Sequence, residues 1–175
     1  MSQQNSKSGS NSPIATGCGC LVLWISLWSL TYYAFELPSF LNQANKAKQS
    51  EGKQYISSMN KAQQAYFAEK SSFSNSVEAL GLGIKTETTN YKYSTRATKQ
   101  AAFNYGVSKQ PNLKSYIGGV FIVPDKEVDA KATKDNMTTA SILCEADSPG
   151  TIKPAEPTYQ NGKIACGKGT TAVTK

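Results

Sequence analysis

The 175-residue sequence predicts an α+β fold in which a long N-terminal helix packs on a small antiparallel β-sheet with a disulfide-closed C-terminal loop. Three observations carry this expectation. An apolar run over residues 18–37 passes directly into an amphipathic segment. From Tyr91 onward the hydrophobic period shifts from that of a helix to that of a strand. Near the C-terminus, Cys144 and Cys166 flank a polar loop rich in Pro and Gly.

The first 17 residues are dominated by Ser, Asn, Gln and Gly and have little apolar surface to bury, so 1–17 reads as a disordered polar leader. Residues 18–37, CGCLVLWISLWSLTYYAFEL, would span about 30 Å as a helix, the thickness of a bilayer core, and are predicted to form a transmembrane helix. The one charge in the run, Glu36, falls at its distal end, at the level of the headgroups. Trp24, Trp28, Tyr32 and Tyr33 suit interfacial or helix-contact positions. A cleaved secretory signal is the rival reading. Against it stand the length of the run, a leader with only Lys7 as a cation, and the lack of a small-x-small cleavage site. The Cys18-Gly19-Cys20 pair is not placed for lipidation, because the apolar run follows it instead of preceding it.

Residues 38–70 are expected to continue as an amphipathic arm. Tyr55, Met59, Ala62 and Tyr66 recur at i, i+4, i+7 and i+11 and share one helix face, which is the expected packing face; Phe40, Ala44 and Ala47 follow the same spacing. Pro38 removes a helical hydrogen bond and is the expected kink. Gly52 costs roughly 1 kcal/mol relative to Ala inside a helix and marks a second candidate bend.

Residues 71–175 form the expected sheet domain. Ser71 and Ser72 break the helix. A short helix follows, with Asn75 as its cap, Val77 and Leu80 facing inward and Gly81 ending it. Tyr91, Tyr93 and Thr95, then Phe103, Tyr105 and Val107, alternate with other residues, and the polar stretch 96–100 reads as a hairpin turn. The run GGVFIV, 118–123, is apolar throughout, as in a central strand covered on both faces, and Pro124 stops it. The charged segment 128–136 reads as a loop and TASILC, 139–144, as a further strand; a short strand near 163–166 is expected to return beside it.

The chain carries 19 Lys and Arg against 12 Asp and Glu, a net charge of +7, and no His. Without histidine there is no His general base and no His metal site. The lysines are spread along the chain, which suits a solvated surface more than a nucleic-acid footprint. Base stacking on Tyr91, Tyr93, Phe103 and Tyr105 beside Lys92, Arg96 and Lys99 is a lesser alternative, because alternating strand aromatics ordinarily fill a core. No phosphate loop, nucleophile elbow or metal cluster is visible, so neither an enzyme nor a cofactor is expected. Asp125, Glu127 and Asp129 lack the glycine and glutamate of a calcium loop and read as solvated.

Two signals conflict over orientation. Lys46, Lys48 and Lys53 outweigh Lys7, which by charge bias alone would put the C-terminal part in the cytoplasm. Cys144 and Cys166 point outward, since with no CxxC nearby they read as a disulfide that needs an oxidising compartment. Such a bridge contributes roughly 3 kcal/mol by loop entropy. Two free buried thiols are the alternative state.

The run ELPSFLNQANKAKQSEGKQYISSMNKAQQAYF followed by EALGLGIKTETTNYKYS resembles the type IV pilin-like G/H proteins. The likeness is close from Glu36 to about Ser94 and looser to the terminal cysteine loop, which resembles the disulfide-closed region of pilins. It implies a helix that sits first in the inner membrane and then in a filament core, with a sheet-bearing headgroup in the periplasm or outside the cell. It also implies cleavage between Gly17 and Cys18, with Gly17 lying 21 residues before Pro38. At the fifth position after that cut, where pilins carry a glutamate that pairs with a neighbouring subunit's new N-terminus, this chain has Val22. The expected function is a membrane-anchored minor pilin or pseudopilin-type subunit. Its expected partners are the lipid bilayer, other pilin subunits and pilus or secretion assembly proteins. The alternative is a non-polymerising, membrane-tethered binding module for DNA, polysaccharide or protein.

Overall fold

The computed structural model describes the backbone of residues 18–128 and 136–173, with side chains from Phe40 onward apart from Glu127. The leader with Gly17, the side chains of the expected membrane run including Cys18, the side chain of the expected kink Pro38, and residues 129–135 of the charged loop lie outside the described residues. Two compact units are distinguished, 1–43 and 44–175. In the first, the described backbone is helical from Cys18. Among the described residues no helix is long and apolar enough to cross a membrane.

The first helix, α1, is Cys18–Lys70. Its C-terminal turn ends on Ser71, which adopts a positive φ of 53° and donates its amide to the Phe67 carbonyl at 2.8 Å. Lys70 in the last turn complements the carbonyl end of the helix dipole. The short helix that follows is a single 3-10 turn, Glu78–Leu80, closed by Gly81 in the left-handed conformation. Asn75 is not its cap. Its Oδ1 instead accepts the Ala97 amide at 2.6 Å, tying this segment to the sheet.

The second unit is built on an antiparallel sheet of five strands in the order β1-β2-β3-β4-β7. These are β1 (Tyr91–Ala97), β2 (Ala101–Ser108), β3 (Tyr116–Pro124), β4 (Met137–Ala146) and β7 (Thr170–Ala172), with a short helix α2 (Asp125–Val128) after β3. A separate hairpin pairs β5 (Thr158–Gln160) with β6 (Lys163–Ala165) through a turn in which Asn161 and Gly162 both have positive φ. The short strand near 163–166 therefore does not return beside β4. That place is taken by β7, which pairs Ala172 with Cys144.

Strand register divides the side chains between two faces. Tyr91, Tyr93 and Thr95 of β1, Ala102 and Asn104 of β2, and Tyr116, Gly118 and Val120 of β3 lie in line on one face. This face packs against α1: Ile56 and Met59 form a core with Tyr91, Tyr93, Leu113, Tyr116 and Val77. On the opposite face Phe103, Tyr105, Ile117, Phe121 and Cys144 form a second core, covered by Tyr159, Ile164 and Cys166 of the C-terminal segment. Covered on both sides, β2 and β3 are buried along almost their whole length. The apolar run at 118–123 is thus the centre of the sheet for the reason its composition implies.

Two consecutive glycines make that double cover fit. A Cβ on Gly118 would overlap the Asn60 side chain of α1, and one on Gly119 would stand 2.6 Å from Pro157 on the other face. Gly52 serves the same end from the helix side, where a Cβ would lie 2.8 Å from the Tyr91 ring. Its cost in helix propensity is offset by the closeness with which aromatic rings pack against α1. Gly118→Ala is expected to lower stability by about 1–3 kcal/mol through displacement of Asn60, read as a reduced urea midpoint. An unchanged midpoint would show that the helix can withdraw from β3 without loss.

Candidate functional site

Among the described residues no three His, Cys, Asp or Glu side chains are grouped to share a metal ion. What the chain builds instead are two fastened seams, one under the helix and one over the disulfide loop, with surfaces left open beside them.

The helix seam runs through buried amides. Asn60 Nδ2 donates to the Ile142 carbonyl at 2.9 Å, and Asn104 Nδ2 donates to Asn60 Oδ1 at 2.9 Å. The Thr95 hydroxyl donates to Asn104 Oδ1 at 2.8 Å, and Gln63 Nε2 donates to Thr95 Oγ1 at 3.0 Å. Gln63 also bonds the Ser74 backbone in both directions, its Nε2 to the carbonyl at 2.7 Å and its Oε1 from the amide at 2.9 Å. The chain of bonds thus crosses from β4 through α1, β2 and β1 to the loop after the helix. Asn60, Gln63, Asn104 and Ser74 are buried, and among the described residues no buried side-chain N or O lacks a partner.

At the N-terminal side of this seam Glu51 gathers three donors, two from the segment just before β1 and one from β1 itself. They are the Thr88 hydroxyl at 2.6 Å, Asn90 Nδ2 at 2.9 Å and the Tyr93 hydroxyl at 3.3 Å. Rings stack across the seam from Tyr55 to Tyr93, Tyr91 and Tyr116, with successive centroids 4.9, 6.0 and 6.2 Å apart. The far end of the row is held by Glu145, which accepts from the Tyr116 hydroxyl at 3.0 Å and Lys114 Nζ at 2.6 Å. Burial first, and then the Glu51 carboxylate, push the Tyr93 hydroxyl well above its ordinary value; Tyr91 is raised by the same two causes in the same order. Burial and then Glu145 do the same to Tyr116.

The second seam fastens the loop closed by Cys144 and Cys166, which are joined in a disulfide with a Cα–Cα separation of 5.8 Å. Within that loop Glu156 accepts from Arg96 Nε at 3.0 Å and pairs with the same guanidinium through Nη2, while the Tyr105 hydroxyl also donates to it. Burial works against the Glu156 charge, but the bonds from Arg96 and Tyr105 outweigh it and hold its carboxyl below the usual range. Tyr105 is pushed up to about 12, by burial first and then by its bond to Glu156. Lys153 Nζ sits 3.8 Å over the Tyr105 ring, and the Arg96 guanidinium 4.8 Å over Phe103. Past the loop, Thr171 Oγ1 donates to Asp147 Oδ1 at 2.7 Å and fixes β7 beside the start of the loop.

Met59 of the expected packing face is fully buried, while Tyr55, Ala62 and Tyr66 are half-buried along one side of the contact. The most buried line on α1 is Gly52, Ile56, Met59, Asn60 and Gln63, so polar amides share the face with apolar side chains. Phe40 is exposed. The aromatics weighed for base stacking, Tyr91, Tyr93, Phe103 and Tyr105, are buried in the two cores and present no open ring face. Asn60, Gln63, Asn104, Glu51 and Glu156, which fasten the seams, carry no motif. A trace of Asn104 lies in its polarity between Phe103 and Tyr105.

A family model described as "Type IV pilin-like G and H" matches residues 49–167. No curated protein and no solved structure matches the chain.

Two measurements probe the seams. Replacing Cys166 by Ser is expected to cost roughly 2–4 kcal/mol of stability by urea denaturation, because the loop ends regain their freedom in the unfolded chain. A shift below about 0.5 kcal/mol would mean that Arg96, Tyr105 and Glu156 hold the loop without the bridge. For the tyrosines, a folded value above the unfolded value near 10 means full stabilisation below pH about 10, lost as pH rises through the raised values. Tyrosinate absorbance should therefore show Tyr91, Tyr93, Tyr105 and Tyr116 ionising only with alkaline unfolding. Ionisation of all four near pH 10 in the folded chain would contradict this.

Proposed function

The chain belongs to the type IV pilin-like G and H family, and on that premise we propose that it is a membrane-anchored structural subunit of the minor-pilin or pseudopilin type, serving a type IV pilus or a related secretion machine. The single observation that carries the reading is the family match over a helix laid on an antiparallel sheet with a disulfide-closed loop. In this reading residues 18–37 are the membrane span and 1–17 the polar leader, with Gly17 and Cys18 flanking the processing point and Pro38 the kink. Residues 38–175 are then the headgroup, with 38–70 as its helical arm. It stands in the periplasm or outside the cell, where an oxidising environment keeps Cys144 and Cys166 joined. Other pilin subunits are its natural partners, engaged by packing and not by chemistry.

A second reading is supported by one residue. Val22 offers no carboxylate to a neighbouring subunit's N-terminal amine, and an unpaired charge in a membrane-like filament core is costly. A subunit without that partner fits a filament tip, or a non-polymerising tether that presents its sheet domain at the membrane surface. Mass spectrometry of the mature N-terminus, combined with fractionation of sheared filaments, separates the two. A methylated N-terminus at Cys18 in the filament fraction is the expected result for a subunit. An intact Met1 confined to membranes would overturn the subunit reading and leave the tether.

A further inference from the structure

Along the edge of the helix seam, α1 does not cover β4. The gap is a groove of 660 Å³ lined by Lys53, Gln54, Ser57 and Lys61 of α1, with Ser141, Leu143 and Val173 across from them. The α1 residues lie on one side of the helix, centred on Ser57, as their 3, 4 and 7 spacings require. No acidic side chain lines it. Lys53 and Lys61 are exposed, stand about 12 Å apart along the helix axis, and form no ion pair among the described residues. Between the two cations lie neutral hydroxyls and amides, with Leu143 and Val173 as a low apolar wall.

Each of the common anionic partners makes a different demand on such a surface. A peptide strand added to β4 would need its free edge, but two carbonyls along that edge are already engaged. Gln64 Nε2 donates to the Thr139 carbonyl at 2.9 Å and the Val173 amide to the Leu143 carbonyl at 2.9 Å. Single-stranded nucleic acid is held by stacking as well as charge, and no aromatic residue lines the groove. What remains is a chain whose negative charges are spaced apart and whose intervening groups are hydroxyls. We propose that this groove is a binding site for a linear acidic polysaccharide, with Lys53 and Lys61 pairing its carboxylates and Gln54, Ser57 and Ser141 bonding its hydroxyl groups. The site belongs to the sheet-bearing unit alone, so it operates whether or not the chain polymerises.

The test uses the full chain and polygalacturonate, a polymer of uronic acid, with dextran, poly-glutamate and an oligothymidylate for comparison, all by calorimetry at fixed ionic strength. Polygalacturonate is expected to bind, dextran not to bind, and poly-glutamate and the oligonucleotide to bind at least tenfold more weakly. The Lys53→Glu/Lys61→Glu variant should lose at least tenfold in affinity, while Lys92→Glu/Lys99→Glu, with the same change of charge on other exposed residues, should keep it. Gln54→Ala/Ser57→Ala leaves the charge intact and should weaken binding severalfold. Thermal melts of each variant show whether the fold is retained. The proposal is overturned if the wild-type chain does not bind polygalacturonate, if both charge-reversed pairs lose affinity equally, or if poly-glutamate binds as well.

Discussion

The contact on which this molecule turns is Asn60 of the helix against Gly118 of the central strand. One side chain fills the space that an absent side chain leaves, and both ends of its amide are used, accepting from Asn104 and donating to the Ile142 carbonyl. A buried amide left half-paired costs about 1–3 kcal/mol, whereas a fully paired one is close to neutral. The pairing is therefore stringent about register. If the helix slid or turned by one residue, Asn60, Gln63 and Thr95 would all lose partners together. Apolar packing of Ile56 and Met59 supplies the attraction that brings helix and sheet together, and the amides choose the one arrangement among many that such packing would tolerate.

The opposite face of the sheet is fastened by different means. The sheet is covered there by a segment with little regular structure, so the disulfide, the Glu156 carboxylate and the seat of Pro157 on Gly119 take over the work that a second helix would do. Arg96 and Glu156 are only partly buried, which limits what their pair adds on its own. Their value is in placement. Together with Tyr105 and Lys153 they lock the middle of the loop, while the cysteines lock its ends. A sheet sealed on both faces leaves its edges and the flank of α1 as the surfaces open for recognition, which is why the groove beside β4 stands out.

Much of this was legible from residue order. The break after the arm at Ser71, the alternation in β1 and β2, the buried centre at 118–123 and its stop at Pro124 all follow from period and turn chemistry. The pairing of β6 differs from the sequence expectation because Lys163–Ala165 looks like any short strand, and the Asn161-Gly162 turn that fixes its partner is local to a hairpin with β5. Asn75 reads as a cap because an Asn before a helical turn ordinarily serves the turn, whereas here the Ala97 amide competes for it from the sheet. Gly52 reads as a bend in sequence, yet it is a place where a tyrosine ring meets the helix backbone.

The sequence by itself determined the succession of arm helix and strands as far as β4, the α+β class, the cysteine pair and the kinship with the type IV pilin-like G and H family, because each is written in local period, composition or motif. It did not determine which side of the arm helix would be buried. Apolar spacing singles out Tyr55, Met59, Ala62 and Tyr66, but the buried line also takes in Gly52, Asn60 and Gln63. That choice belongs to the tertiary structure, since a polar side chain can be buried only where another part of the chain meets its hydrogen bonds. The partners of Asn60 lie 44 and 82 residues away in Asn104 and Ile142, and no local reading of the helix contains them.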